Sequence, residues 1–218
     1  MLKQIDTETT MTTDRKTHWE HIYQTRDAEA VSWFQPTPAL SLALIQQCDL
    51  APDHTILDVG GGASTLVDHL IQAGYQAITV LDIAQQALEI AQQRLGKAAE
   101  QVQWLVADAT DFQLAHQVHL WHDRAVFHFL TQAHDRHAYI GNLKKTLLPG
   151  GHLIIAAFAP EGPKQCSNLD IVQYDSRKIS LELGHAFELQ QTRQEIHTTP
   201  AGAEQAFNYF LFRYTPAL

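Results

Sequence analysis

The chain has 218 residues, 45% of them hydrophobic and 18% charged, enough for one domain with a buried core beneath a sheet. Twenty-four acidic residues against 15 basic ones give a formal charge of −9, which repels phosphate backbones and argues against nucleic acid as a partner. No apolar run approaches the roughly 20 residues that span a bilayer, and Cys48 and Cys166 are too few for a disulfide framework or a zinc cluster.

Residues 1–17 are polar and Thr-rich, lack the apolar stretch of a secretory signal, and are expected to form a flexible tail. A single domain over 18–218 and a cytoplasmic setting are the expectation. Trp19, Ile22 and Tyr23 fall at helical spacing and predict a short amphipathic helix. The loop Val31-Ser32-Trp33-Phe34-Gln35-Pro36 follows, after which Thr37 is placed to cap a helix through Gln47 with Pro38 at its first position. From there strands and helices alternate. Strands are expected over 55–59, 77–81, 102–106, 118–121 and 152–158. Helices are expected over 64–73, 84–95 and 135–147, the last closed by Pro149-Gly150-Gly151. The fifth strand is almost wholly apolar, as for one buried on both faces. Such alternation implies a parallel sheet with helices on both sides. The end of the chain departs from it. Residues 176–183 read as a helix, then 187–196 and 206–214 as two strands, an antiparallel hairpin at one edge of the sheet.

The first strand runs into Asp58-Val59-Gly60-Gly61-Gly62. Gly60 and Gly62 remove side chains where a ligand must approach the backbone, and the helix that follows offers free N–H groups. A dinucleotide fold uses a similar turn, but its G-x-G-x-x-G fingerprint needs glycine where Thr65 stands. Asp58 inside the turn suits a ligand with an ammonium group and repels a pyrophosphate. Asp82, followed by Ile83, ends the second strand roughly 20 residues past the glycines, where a carboxylate can take both hydroxyls of a ribose. Asp108 and Ala109 end the third, where a carboxylate can accept the exocyclic amine of an adenine. Each aspartate alone reads as a loop or cap residue; three at successive strand ends line one crevice.

With these residues and the Leu148-Pro149-Gly150-Gly151 turn, the chain resembles the class I S-adenosylmethionine-dependent methyltransferases over about residues 18–214. The resemblance implies an α/β fold with a doubly wound, mostly parallel seven-stranded sheet and helices on both faces. Its strand order would be 3-2-1-4-5-7-6, strand seven antiparallel. S-adenosylmethionine is then the cofactor and S-adenosylhomocysteine the product. Gly60 and Gly62 would pass beneath the methionine part, which Asp58 helps place, with Gly61 beside them. Asp82 and Ile83 would hold the ribose, and Asp108 and Ala109 the adenine.

Strand four should face the acceptor. His119 stands where many relatives have an acidic residue, a departure from the common pattern. At the strand's tip His122, Asp123 and Arg124 bring a base, an acid and a cation, and they are the candidate catalytic residues. Methyl transfer is an in-line displacement that needs alignment and desolvation, and a base only when the acceptor arrives protonated. His122 or Asp123 could take that proton and Arg124 could fix an anionic acceptor. Alternatively, Asp123 and Arg124 pair with each other or with backbone and brace the loop. Trp19, Tyr23, Trp33 and Phe34 either form an aromatic lid, with Trp33 against the cofactor, or pack between helices. Cys166 is a candidate contact for a soft acceptor, though most lone cysteines are merely buried. His197 and Gln205 lie on the edge hairpin, which is expected to face away from the site. No spacing of histidines and cysteines supports a metal.

The aromatic N-terminal element, Val31–Pro36 and Asp123-Arg124-Ala125 resemble the thiopurine and thiol S-methyltransferases and the tellurite- or halide-type enzymes. That implies a small-molecule acceptor, a thiol or other soft nucleophile. No nucleic acid or membrane partner is expected, and the assembly is a monomer or homodimer. Two other readings stand beside it: a protein lysine N-methyltransferase, and a non-catalytic S-adenosylmethionine-binding protein.

Overall fold

The computed structural model describes residues 15–217. Residues 15–25 form helix α1, and α2 (Ala39–Gln47) follows a loop. Then come β1 (Thr55–Val59), α3 (Leu66–Gln72), β2 (Ala77–Asp82), α4 (Gln85–Leu95), β3 (Val102–Val106) and β4 (Val118–Arg124). They are followed by α5 (Ala133–Thr146) and β5 (Leu147–Phe158). A minimal hairpin, β6 (Gln165–Cys166) and β7 (Leu169–Asp170), precedes α6 (Ser176–Leu183), β8 (Phe187–Thr198) and β9 (Glu204–Tyr214). The sheet order is β3-β2-β1-β4-β5-β9-β8. Strands β1 to β5 pair in parallel, and β9 runs antiparallel to both β5 and β8. Because β6 and β7 stand outside the sheet, this is the order that the family resemblance implied.

The sheet is buried on both faces because neighbouring apolar residues along its central strands point to opposite sides. Ile154 joins Ile56, Leu120, Leu44, Leu66 and Leu88 beneath α2, α3 and α4. Ile155 joins Leu57, Trp121, Tyr139, Leu143 and Ile179 beneath α5 and α6. From β1 the chain winds outward through β2 and β3, then returns to β4 on the other side of β1. Such a reversal opens a crevice at the carboxyl ends of β1 and β4.

Several boundaries differ from expectation for identifiable reasons. Helix α2 begins at Ala39, whose N–H takes the Thr37 carbonyl at 2.9 Å; Pro38 is the cap residue and no side chain caps the helix. Helix α3 starts at Leu66 because the Ser64 hydroxyl accepts its N–H from outside, at 3.1 Å. Strand β4 runs on through His122, Asp123 and Arg124, which pair with Ile154, Ile155 and Ala156 of β5. Pro149-Gly150-Gly151 does not separate helix from strand, since β5 begins at Leu147 directly after α5. Of the expected tail, residues 1–14 lie outside the described residues, while 15–17 belong to α1. Among the described residues no helix is long and apolar enough to cross a membrane.

Candidate active site

The turn after β1 is tied to β2 by the Gly60 and Gly61 N–H groups, which share the Leu81 carbonyl at 2.7 and 3.2 Å. Gly60 and Gly62 have φ of +68° and +39°, a region that side chains disfavour. A Cβ on Gly60 would overlap Val126, and one on Gly61 the Asp58 carboxylate. One on Gly62 would sit 2.6 Å from Asp82 Oδ2. The glycines therefore leave room for two carboxylates as well as bare backbone for a ligand.

Each of the three aspartates has a distinct setting. Asp58 is buried, and its Oδ1 lies 2.7 Å from His122 Nδ1. His122 Nε2 in turn lies 2.9 Å from the hydroxyl of Ser41 on α2. A neutral imidazole satisfies both contacts, donating to Asp58 and accepting from Ser41. Asp82 Oδ1 accepts the Ala84 N–H at 2.8 Å, and burial pushes this carboxyl up to about 7. Asp108 Oδ1 takes the N–H and hydroxyl of Thr110 at 2.8 and 2.6 Å. Its Oδ2 faces the Arg15 guanidinium at 3.0 Å, and Arg15 also reaches Asp135 at 3.1 Å.

A cavity with about 880 Å³ of free space, its open mouth included, lies over the strand ends. Gly60, Asp82, Ile83, Asp108 and Ala109 line one half; Arg124, Phe158, Cys166, Gln205 and Phe207 line the other. Trp19, Tyr23 and Trp33 also line it. Trp19 meets Trp33 and Phe129 edge-on, with ring centres 5.7 and 5.0 Å apart, and the Trp33 indole N–H donates to the Tyr23 hydroxyl at 3.2 Å. Glu20 accepts the Gln85 and Gln86 N–H groups at 2.8 and 3.2 Å, which ties α1 to the start of α4. A smaller adjoining recess is lined by Ser41, Asp58, Gly60, Gly61, His122 and Arg124.

The three residues at the tip of β4 separate in role. Asp123 is fully buried and does not line the cavity. It accepts the Val126 and Phe127 N–H groups at 2.9 and 3.1 Å and the Tyr139 hydroxyl at 2.6 Å. These bonds brace the turn after β4, where Ala125 has φ of +72°. Burial pushes the Asp123 carboxyl up to about 6. His122 is held at both ring nitrogens, as described. Of the three, Arg124 is the one that lines both cavity and recess. Its Nε donates to the Tyr209 hydroxyl and its Nη1 to the Trp33 carbonyl, each at 2.9 Å.

Three features differ from the sequence reading or were missed by it. The edge hairpin faces the site, since β9 returns antiparallel and pairs Phe207 with Phe158 at the carboxyl end of β5. Gln205 and Phe207 thus line the cavity, while His197 meets the Ser32 carbonyl at 2.8 Å. Following the expected direction of that hairpin strand would have found them. Cys166 does line the cavity, but burial pushes its thiol up to about 11, so it stays protonated and weakly nucleophilic. Ser41 and Arg15 carried no local signal. His119 sits near the other end of β4, stacked on His54 at 3.9 Å and accepting the Thr55 N–H at 3.1 Å.

Comparison with known proteins agrees with this geometry. Residues 56–151 match the family model described as a methyltransferase domain. Nodulation protein S of Rhizobium tropici is 28% identical over 106 residues, which are 49% of this chain and 44% of that protein. The matched stretch therefore spans less than half of that relative. Among solved structures, the N-methyltransferase NodS of Bradyrhizobium japonicum WM9 in complex with S-adenosylhomocysteine has a TM-score of 0.66 at 19% identity, covering 90% of this chain and 98% of that one. The 1,6-didemethyltoxoflavin-N1-methyltransferase of Burkholderia thailandensis has a TM-score of 0.68 at 15% identity, covering 97% and 90%. The bare glycine turn, the carboxylates at three strand ends and the sheet order lie within or beside the stretch that matches a methyltransferase domain, and the fold is shared with solved methyltransferases.

Proposed function

We propose that this chain transfers the methyl group of S-adenosylmethionine to a small acceptor whose nucleophilic atom arrives unprotonated, a thiolate or another soft nucleophile. The composition of the cavity's second half carries this reading. Arg124, Phe158, Cys166, Gln205 and Phe207 bring neither carboxylate nor imidazole to its wall. Among the described residues lining that half, no group can take a proton from the acceptor. His122 and Asp123 then act as positioning residues. The first holds the Asp58 carboxylate, and the second holds the turn that aims Arg124.

The residues on the other side suit the donor. Bound there, S-adenosylmethionine supplies an electrophilic methyl group on a sulfonium. Asp58 offers a buried carboxylate to the ammonium group. Asp82 and Asp108 offer acceptors to the ribose hydroxyls and the adenine amine, with Gly60, Gly61, Gly62, Ile83 and Ala109 packed against the same ligand. Trp19, Tyr23 and Trp33 exclude water above it, which favours alignment and desolvation. The same aromatic roof favours a small acceptor over a lysine presented by a folded protein.

A weakly basic aromatic nitrogen is the second reading. It also needs no base at neutral pH, and the two solved neighbours named above are N-methyltransferases. A radiolabelled-methyl assay against thiols, chalcogenide, heteroaromatic amines and basic proteins, each tested separately, distinguishes these outcomes. Label in thiols or chalcogenide supports the first reading, and label in the amines alone supports the second. Label confined to protein bands overturns both. Cofactor binding with no label anywhere points to a non-catalytic binding protein.

A further inference from the structure

Two buried polar atoms in the acceptor half have no hydrogen-bond partner among the described residues: Arg124 Nη2 and Gln205 Oε1. The first is a donor and the second an acceptor, and both side chains line the same cavity. Arg124 is held rigidly. Its Nε and Nη1 are engaged by Tyr209 and Trp33, and its guanidinium lies 4.7 Å above the Phe207 ring. The Glu195 carboxylate is 4.0 Å from Nη2, an ion pair beyond hydrogen-bond reach. Glu195 is itself occupied by the Tyr209 hydroxyl at 2.9 Å and the Gln35 amide at 3.2 Å. One donor edge of the guanidinium therefore stays open, in an orientation fixed from its other side.

Leaving a buried donor or acceptor unmatched is costly, so a ligand that matches both gains more than one that matches neither. An anionic oxygen is the strongest partner for a guanidinium edge, because the bond is charge-assisted. Among the described residues Arg124 is the one cation lining this half, as Arg15 is paired with Asp108 and Asp135 at the opposite end. The surrounding wall is aromatic. Phe158 and Phe207 meet edge-on with centres 4.6 Å apart, and Phe129 also lines the cavity. Flat rings pack well against such faces.

Resting on the methyltransferase reading, we infer that the acceptor is a small aromatic or heteroaromatic acid. Its anionic oxygen takes Arg124 Nη2, and a neighbouring N–H or O–H donates to Gln205 Oε1. Gln205 is then a specificity-determining residue supplied by the edge strand β9.

Titration calorimetry on protein saturated with S-adenosylhomocysteine tests this without requiring turnover. The probes are anthranilate, benzoate and their amides, 2-aminobenzamide and benzamide. Anthranilate should bind at least about tenfold more tightly than 2-aminobenzamide, the scale of a charge-assisted hydrogen bond. Arg124→Gln should remove that preference, and Arg124→Lys should keep part of it, which guards against a glutamine variant that fails to fold. Gln205→Leu should weaken anthranilate toward benzoate while leaving benzoate unchanged. Equal binding of acid and amide, or no binding of any probe, overturns the inference. Failure to bind S-adenosylhomocysteine itself overturns instead the cofactor reading on which it rests.

Discussion

The two halves of the cavity are built by different means. On the β2–β3 side the wall comes from the tips of three successive strands, with Gly60, Asp82 and Asp108 each at or just past a strand end. On the β4–β5–β9 side it comes from Arg124, Cys166, Gln205 and Phe207, on segments brought together by strand pairing, a small hairpin and contacts between remote side chains. The half proposed to hold the donor is thus fixed by local chain geometry, whereas the half proposed to hold the acceptor depends on the register of distant strands. Fold alone does not name a substrate, because function resides in the site carried by the fold.

Gly60→Ala should have the largest effect and should strike the donor half. A positive φ costs a residue with a Cβ about 1–2 kcal/mol, and overpacking against Val126 about 1–3 kcal/mol more. Denaturant unfolding should record the loss and calorimetry the disappearance of cofactor binding. Gln205→Leu should leave cofactor affinity unchanged; an equal loss in both variants would erase the distinction between the halves.

Asp82→Ala should weaken the cofactor by about 1–3 kcal/mol, the cost of unpaired polar groups. Asp82 also gives the donor half a pH signature. Its ligand-free carboxyl is pushed up to about 7 from the ordinary 3.8, so the folded protein holds a proton that the unfolded chain releases. Stability from this group is therefore present at low pH and lost as pH climbs from about 4 toward 7. Ribose hydroxyls donate to the ionised form, so cofactor affinity should rise with pH through about 7, with proton release visible as a buffer-dependent binding enthalpy. Asp82→Asn should flatten both trends. Persistence of either slope in that variant would assign it to another group.

Asp123→Asn addresses the boundary between the halves. Its carboxylate accepts from Val126, Phe127 and Tyr139, so the variant should lose about 1–3 kcal/mol of stability while cofactor affinity stays close to wild type. Unchanged unfolding with abolished turnover would instead make Asp123 a catalytic group. Ser41→Ala should have the smallest effect, about 1 kcal/mol in stability and a few-fold loss in cofactor affinity, because His122 loses one of the two contacts that orient it toward Asp58. Cofactor affinity unaffected by Ser41→Ala would show that Asp58 needs no such support.

Much of the wall on the β2–β3 side was legible in the sequence because its signals are local. The limits of β1, β3 and α6 fall where apolar runs meet turn residues, at Thr55–Val59, Val102–Val106 and Ser176–Leu183. The parallel sheet follows from the same alternation, while its strand order was implied by the family resemblance. What stayed hidden depends on contacts between remote residues. Ser41 meets His122 across 81 positions and Arg15 meets Asp108 across 93, separations that no periodicity encodes. Helix caps failed for the reverse reason, since backbone groups at Thr37 did the work assigned to its side chain. At the tip of β4, His-Asp-Arg suggested either a base, an acid and a cation or a braced loop, and no local motif encoded the burial that sets Asp123 in the core and Arg124 at the cavity wall.

The most direct test of the donor-site reading is titration calorimetry of the ligand-free protein with S-adenosylmethionine and, separately, with NAD. The glycine turn with Asp58 inside it predicts saturable binding of S-adenosylmethionine and none of NAD. No binding of S-adenosylmethionine, or equal binding of NAD, would contradict it.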